Sequence, residues 1–355
     1  VHCCAAVGKN RGEGETMREQ QRRRLALIAI LCTVLALFLA NKYLDDYKIR
    51  IINLSGIYVT LGLSMNLING FTGLFSLGHA GFMAVGAYTV GLLTMPIPMK
   101  EMNFFFQPIV PWLANVEMGF LPALLVAGLI SAFLGVLIGA PVLRLRDDYL
   151  AIATLGFAEI IRVVFTNTQS LTNGALGLKG IPNYTNTWWS WGVAFVTIWF
   201  VSFLIRGSYG KAFMAIREDE IAAEAMGINL FKHKVLSFAF ASFFAGVAGG
   251  LLASLLGTID PNMFRITLTF NILLIVVLGG LGRIAGTVIA AVVVTVMMEA
   301  LRFLDESINL GFVQIKGIPG MRMVIFSIIL ILVVVLRREG LLTRLKGREA
   351  SYAEN

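Results

Sequence analysis

Five stretches of this chain, 51–78, 80–99, 118–143, 180–205 and 235–259, contain no Asp, Glu, Lys, Arg or His. A helix that crosses the hydrocarbon of a bilayer needs about 20 mostly apolar residues, and each run reaches that length. Of the 355 residues, 57% are apolar and 14% are charged, whereas soluble domains carry about 25% charged residues. A soluble fold of this size has no interior large enough for so many long apolar segments. The expected fold class is therefore all-α, a polytopic membrane bundle.

Ten spans fit the pattern, roughly 25–40, 51–69, 80–95, 119–140, 149–165, 187–205, 235–257, 267–281, 286–302 and 319–336. The prolines agree with these limits. Pro96, Pro98, Pro108, Pro111, Pro182 and Pro261 fall between spans; Pro122, Pro141 and Pro319 sit at or near span ends, where a missing N–H is harmless. Spans eight and nine are short and joined by "LGGLGRIAG", so ten full crossings and eight with re-entrant segments both stand. Of the 29 Lys and Arg, 19 fall in the N-terminal tail, 144–146, 206–234, Arg283 and the C-terminal tail. By the positive-inside rule both termini are cytoplasmic. The chain then divides into a tail (1–24), a transmembrane domain (25–336) with a long cytoplasmic loop (206–234), and a basic tail (337–355). Met17 directly precedes "REQQRRR", so 1–16 read as an upstream extension. The first span lacks a small-residue cleavage site and reads as retained. Two long connections, 96–117 and 166–187, face outside.

The net charge of +8 lies in short inter-helix clusters and is not a nucleic-acid signature. Cys3, Cys4 and Cys32 lack the spacing of a metal site or disulfide framework, His2, His79 and His233 are scattered, and no Ser/His/Asp arrangement appears. Neither catalysis nor a bound metal or cofactor is expected of this chain.

In the loop "RGSYGKAFMAIREDEIAAEAMGINLFKHK" (206–234), Glu218, Asp219 and Glu220 place negative charge on the first turn of an expected helix, where the macrodipole favours it. Ala222, Ala223, Ala225 and Met226 are strong helix formers and Gly227 suits the stop. Ala222 and Ala223 leave a smooth patch that another backbone can approach closely. On physics alone, a docking surface and a solvated connector both fit.

"IAAEAMG" (221–227) resembles the E-A-A-x-x-x-G coupling motif of ABC importer permeases in its two alanines and its glycine. Ile221 stands at the glutamate position and Glu220 one residue earlier. "REDEIAAEAMGIN" (217–229) resembles the variant of the LivM-type branched-chain amino-acid permeases. "TGLFSLGHAGFMAVGAY" (72–88), "LTNGALGLKGIP" (171–182) and "VVLGGLGRIAGTVIAA" (276–291) resemble other blocks of that family in the same order. The likeness runs from about 50 to 340, and urea permeases of the same superfamily share most of it. The resemblance implies an ABC importer permease fold of about ten helices with Gly-broken segments. It implies a subunit that works with a LivH-type permease, two ATPase subunits and an extracytoplasmic binding protein, in a bacterial or archaeal cytoplasmic membrane. ATP and Mg would be used by the partners, because this chain has no G-x-x-x-x-G-K-[ST] loop to cradle phosphates. The implied cargo is a branched-chain or other apolar amino acid; urea or short amides are the alternative. A stand-alone carrier, from a different class, gives no reason for the 217–227 helix.

Paired Gly-interrupted segments point to a transport site. Gly73, Gly78 and Gly81 punctuate one; Gly279, Gly280 and Gly282 punctuate another. Close helix packing explains glycines equally well. Ser76, His79, Asn66 and Asn69 are polar groups at depth, which line a path or bond a neighbouring helix. Glu159 and Arg162 stand three apart on one face and can pair, as can Glu299 and Arg302; structural pairing and recognition of a zwitterion are both open.

Overall fold

The computed structural model describes residues 33–35, 37–105, 107–143, 147–301, 308–309, 314–315, 324–325 and 327–328. The chain forms two compact units, 1–50 and 51–355. In the first, residues 33–35 and 37–43 are helical. An exposed ion pair links Lys48 to Asp45 at 3.5 Å.

The expected spans between 51 and 302 each coincide with a helix to within a few residues. α1 (Asp46–Asn66) continues as a π-helical segment, Leu67–Thr72, and α2 (His79–Thr94) follows the first glycine break. Two short helices, α3 (Ile97–Asn103) and α4 (Pro111–Ala114), lie in the 96–117 connection. Then come α5 (Phe120–Val142), α6 (Asp147–Asn167), α7 (Gln169–Thr172) and α8 (Thr187–Arg206). The 206–234 loop contains α9 (Ser208–Glu218) and α10 (Glu220–Ala225), and leads into α11 (Leu230–Leu256). α12 (Ile266–Gly279) and α13 (Ile284–Ala300) flank the second break. The 25–40 span is helical at its described residues, and 319–336 lies outside the described residues apart from four helical positions.

Among the described residues, five helices are long and apolar enough to cross a membrane: α1 with its π extension, α5, α6, α8 and α11. α2, α12 and α13 have 16, 14 and 17 residues. At 1.5 Å per residue they rise only about 21 to 26 Å, short of the ~30 Å hydrocarbon layer. Each of the three abuts a glycine break, so the breaks are what shorten them. The chain is thus an all-α, multi-pass membrane protein.

The core centres on α11, which packs against both α2 and α5. Lipid tails are as apolar as leucine, so helices associate through close packing and hydrogen bonds. A Cβ at Gly86 would stand 1.9 Å from the Gly246 carbonyl oxygen, so the α2 and α11 backbones are in contact there. Ser131 of α5 adds a hydrogen bond to the Phe82 carbonyl at 3.2 Å. A smaller cluster joins Val59 and Leu63 of α1 to Ala194 of α8, Ile275 of α12 and Ala290 and Val294 of α13.

At the end of α11 remote from α10, the two long connections are fastened together. β1 (Leu178–Lys179) pairs antiparallel with β2 (Thr258–Ile259), Leu178 opposite Ile259. Asn103 makes two hydrogen bonds with the Lys179 backbone, at 2.7 and 2.9 Å. Lys100, buried, donates to the carbonyls of Leu113 (3.1 Å) and Val116 (2.5 Å). Desolvation lowers the pKa of its ammonium below 10.5, opposed in part by Glu117.

Candidate functional site

The coupling-type segment differs from its expected form. One helix was expected over 217–227, with 218–220 in its first turn; instead α9 runs to Glu218 and α10 begins at Glu220. The reason is local. Asp219 is extended (φ −161°, ψ 113°), and its carboxylate accepts from the amides of Ile221 (2.8 Å) and Ala222 (3.0 Å). That is N-capping, which Asp does well. Glu218 therefore ends the preceding helix and pairs with Arg217, while Glu220 occupies the first turn.

The stop is as expected. Gly227 adopts φ 84°, its amide bonds the Glu224 carbonyl, and the Ile228 amide bonds that of Ala223. This is a Schellman ending. The two alanines part company, however: Ala222 is exposed and Ala223 is buried. The outer surface of α10 is completed by Ile221 and Met226, 81% and 83% exposed. A cavity of about 560 Å³ lies alongside, lined in part by Lys211, Ala215, Ala222 and Met226.

The glycine breaks come together. The amide of Gly282 donates to Asn66 Oδ1 at 2.9 Å, and Asn66 Nδ2 donates to Thr287 Oγ1 at 2.7 Å and the Arg283 carbonyl at 3.3 Å. Asn66 thus pins the end of α1 to the turn between α12 and α13. Gly73, Gly280 and Gly282 have φ of 77°, 88° and 74°, conformations that disfavour any Cβ. Gly279 is a contact position, where a Cβ would stand 2.6 Å from the Gly286 carbonyl carbon. Gly78 and Gly81 serve close approach to α6, to Thr154 and Ala158 respectively.

Asn69 spans the first break, with Nδ2 to the Ser76 carbonyl (3.4 Å) and Oδ1 from the Ser76 amide (3.3 Å). Ser76 Oγ accepts from the Gly78 amide at 3.4 Å. His79 opens α2, fully buried, with Nε2 2.9 Å from Ser64 Oγ. Ser64 donates its one proton to the Ala241 carbonyl, so His79 Nε2 carries the hydrogen in that bond. Nδ1 has no partner among the described residues. These four polar residues are engaged in holding the break, and Glu159 and Arg162 lie apart from it on α6. Arg162 Nε bonds Glu159 Oε1 at 2.9 Å. Arg302 lies outside the described residues; Glu299 lines a cavity of about 240 Å³ with Tyr58, Asn271 and Thr295.

Arg217 is a residue that sequence reasoning passed over. Its Nη1 donates to the Gly70 carbonyl at 3.0 Å, joining the end of α9 to the π segment across 147 positions. Lys234 is another: 8% exposed, it pairs with Glu220 at 2.6 Å and ties α10 to α11. Thr154 and Thr269 hold the backbone amides of Leu77 and Ala80. An arginine beside acidic residues and threonines in apolar runs have no local signature of such contacts.

A sequence profile described as "Branched-chain amino acid transport system / permease component" matches residues 47–334. The chain is 33% identical to the LivM high-affinity branched-chain amino acid permease protein of Salmonella typhimurium, over 83% of this chain and 71% of that one. It is 32% identical to the Escherichia coli protein of the same name with the same coverage. It is 24% identical to a probable LivM permease of Methanocaldococcus jannaschii, covering 81% of this chain and 90% of that one. No solved structure gives a significant match. With its paired glycine breaks, membrane-length helices and capped exposed α10, the chain belongs to the branched-chain amino acid transport system permease family, a transport subunit and not an enzyme.

Proposed function

We propose that this protein is the translocating subunit of an ATP-driven importer that carries branched-chain or other apolar amino acids into the cytoplasm. It sits in a bacterial or archaeal cytoplasmic membrane with both termini inside, beside a LivH-type permease. Two ATPase subunits dock from the cytoplasm, bringing ATP and Mg, and a binding protein delivers cargo outside. The cargo assignment rests on the names of the LivM relatives.

The observation that carries the coupling role is α10. It has six residues, is capped at both ends, and presents Ala222 between two exposed apolar side chains, Ile221 and Met226, beside an open cavity. Exposed apolar surface next to a groove suits a protein partner. The small Ala222 side chain admits that partner's backbone, so Ala222→Arg obstructs it without touching the core. In a tagged complex, Ala222→Arg is expected to lose the co-purifying ATPase subunits while the chain itself inserts normally. ATPase subunits that remain bound at wild-type stoichiometry would overturn this docking surface.

A further inference from the structure

We infer that Arg217 is the positioning residue through which movement of α10 reaches the two helix breaks. This rests on the ATPase-docking reading of α10 and adds the route inward. The π segment ends α1, and the last carbonyls of a helix have no internal partners and carry its negative end. The guanidinium answers one of them, the Gly70 carbonyl. Two glycines, Gly73 and Gly282, make room for it, and a third, Gly70, leaves room for the junction beside it. A Cβ at Gly73 would come 2.7 Å from Arg217 Cγ, and one at Gly282 would come 2.8 Å from Nη1. At Gly70 a Cβ would strike both Asn66 Oδ1 (1.7 Å) and the Gly282 amide nitrogen (2.4 Å).

Arg217 therefore touches the first break directly and lies against the second, at the point where Asn66 fastens one to the other. Its opposite edge is held by Glu218, with Nε 3.1 Å and Nη2 2.5 Å from Oε1. Asp219, a single extended residue, separates this anchor from α10. At the first residue of α10, Glu220 pairs with Lys234. A displacement of α10 is thus transmitted by two charged contacts, one to the junction of the breaks and one to α11. Coupling requires an element that both ends can bias; the Gly70–Gly282–Asn66 junction is that element, and Arg217 is its handle.

The test uses the full complex in proteoliposomes, with ATP hydrolysis and labelled leucine uptake measured together for wild type, Arg217→Ala, Arg217→Lys and Glu218→Gln. Losing a hydrogen bond from a charged donor is expected to lower leucine taken up per ATP about tenfold in Arg217→Ala, with hydrolysis nearly unchanged. Arg217→Lys keeps a cationic donor for the Gly70 carbonyl and should restore much of that yield. Glu218→Gln leaves the arginine in place with a weaker anchor and should fall between; it also serves as the deciding variant if Arg217→Ala fails to assemble. Unchanged uptake per ATP in Arg217→Ala and Glu218→Gln overturns the inference. So does a parallel loss of hydrolysis and uptake that lysine does not rescue, which would mark Arg217 as a docking or folding residue. Failure of the proposed function is distinguishable, because the wild-type complex would then show no ATP-driven leucine uptake at all.

Discussion

The Asn66 amide has both its oxygen and its nitrogen committed, to partners more than 200 positions away. Removing it leaves the part-buried Gly282 amide and the buried Thr287 hydroxyl without this partner, and an unsatisfied buried group costs about 1–3 kcal/mol, an upper bound for a part-buried one. Asn66→Ala should therefore lower the thermal midpoint in lipid nanodiscs by several degrees; an unchanged midpoint would mean the junction does not bear on stability. Lys100 provides a pH signature in the outer connection. Its folded pKa lies below 10.5 because of burial, so between that lowered value and 10.5 the unfolded connection holds more protons than the folded one. The connection's stability should rise as pH climbs through this window and be lost as pH falls through the folded value. Protease resistance of 96–117 reads this directly, and Lys100→Met should flatten the dependence. At this scale the sequence was only partly legible. Asn66, Asn69, Ser76 and His79 stand out as polar residues in apolar runs, but what each one bonds depends on distant turns.

Among the elements, the long helices were legible because uncharged runs of 20 residues or more have one fate in lipid. The split of the coupling segment was not. Three consecutive acidic residues fit a first turn, yet the carboxylate of Asp219 gains more by capping two amides than by lying within a helix. The buried side of α10, which takes Ala223 and leaves Ala222 outside, follows from that register. Glycines were ambiguous for a related reason: the letter alone does not separate a contact from an open site. Gly86→Ala puts a methyl against the Gly246 carbonyl and should destabilise by about 1–3 kcal/mol through overpacking. Gly192→Ala, in α8 with nothing within 4 Å of the new methyl, should be neutral or stabilise by up to ~1 kcal/mol. Paired unfolding midpoints of the two variants check the distinction, and a reversed order would contradict the α2–α11 contact.

For the whole molecule, the proposed mechanism unites three features. Short helices ending at glycine breaks supply the junction, α10 supplies an exposed docking element, and Arg217 links that region to the junction while Lys234 links α10 to α11. Membrane class and family were readable from hydropathy and ordered motifs, because both are properties of long stretches. The meeting of the two breaks was not, since it depends on α1 and the α12–α13 hairpin packing side by side. The central claim is that this bundle moves amino acids only when ATPases drive it. The most direct measurement is uptake of labelled leucine, with labelled urea in parallel, into proteoliposomes holding this chain with its partner permease, ATPases and binding protein. The account predicts leucine uptake that needs ATP and disappears when either ATPase is omitted. Leucine uptake by this chain alone without ATP, or uptake of urea in place of leucine, would contradict it.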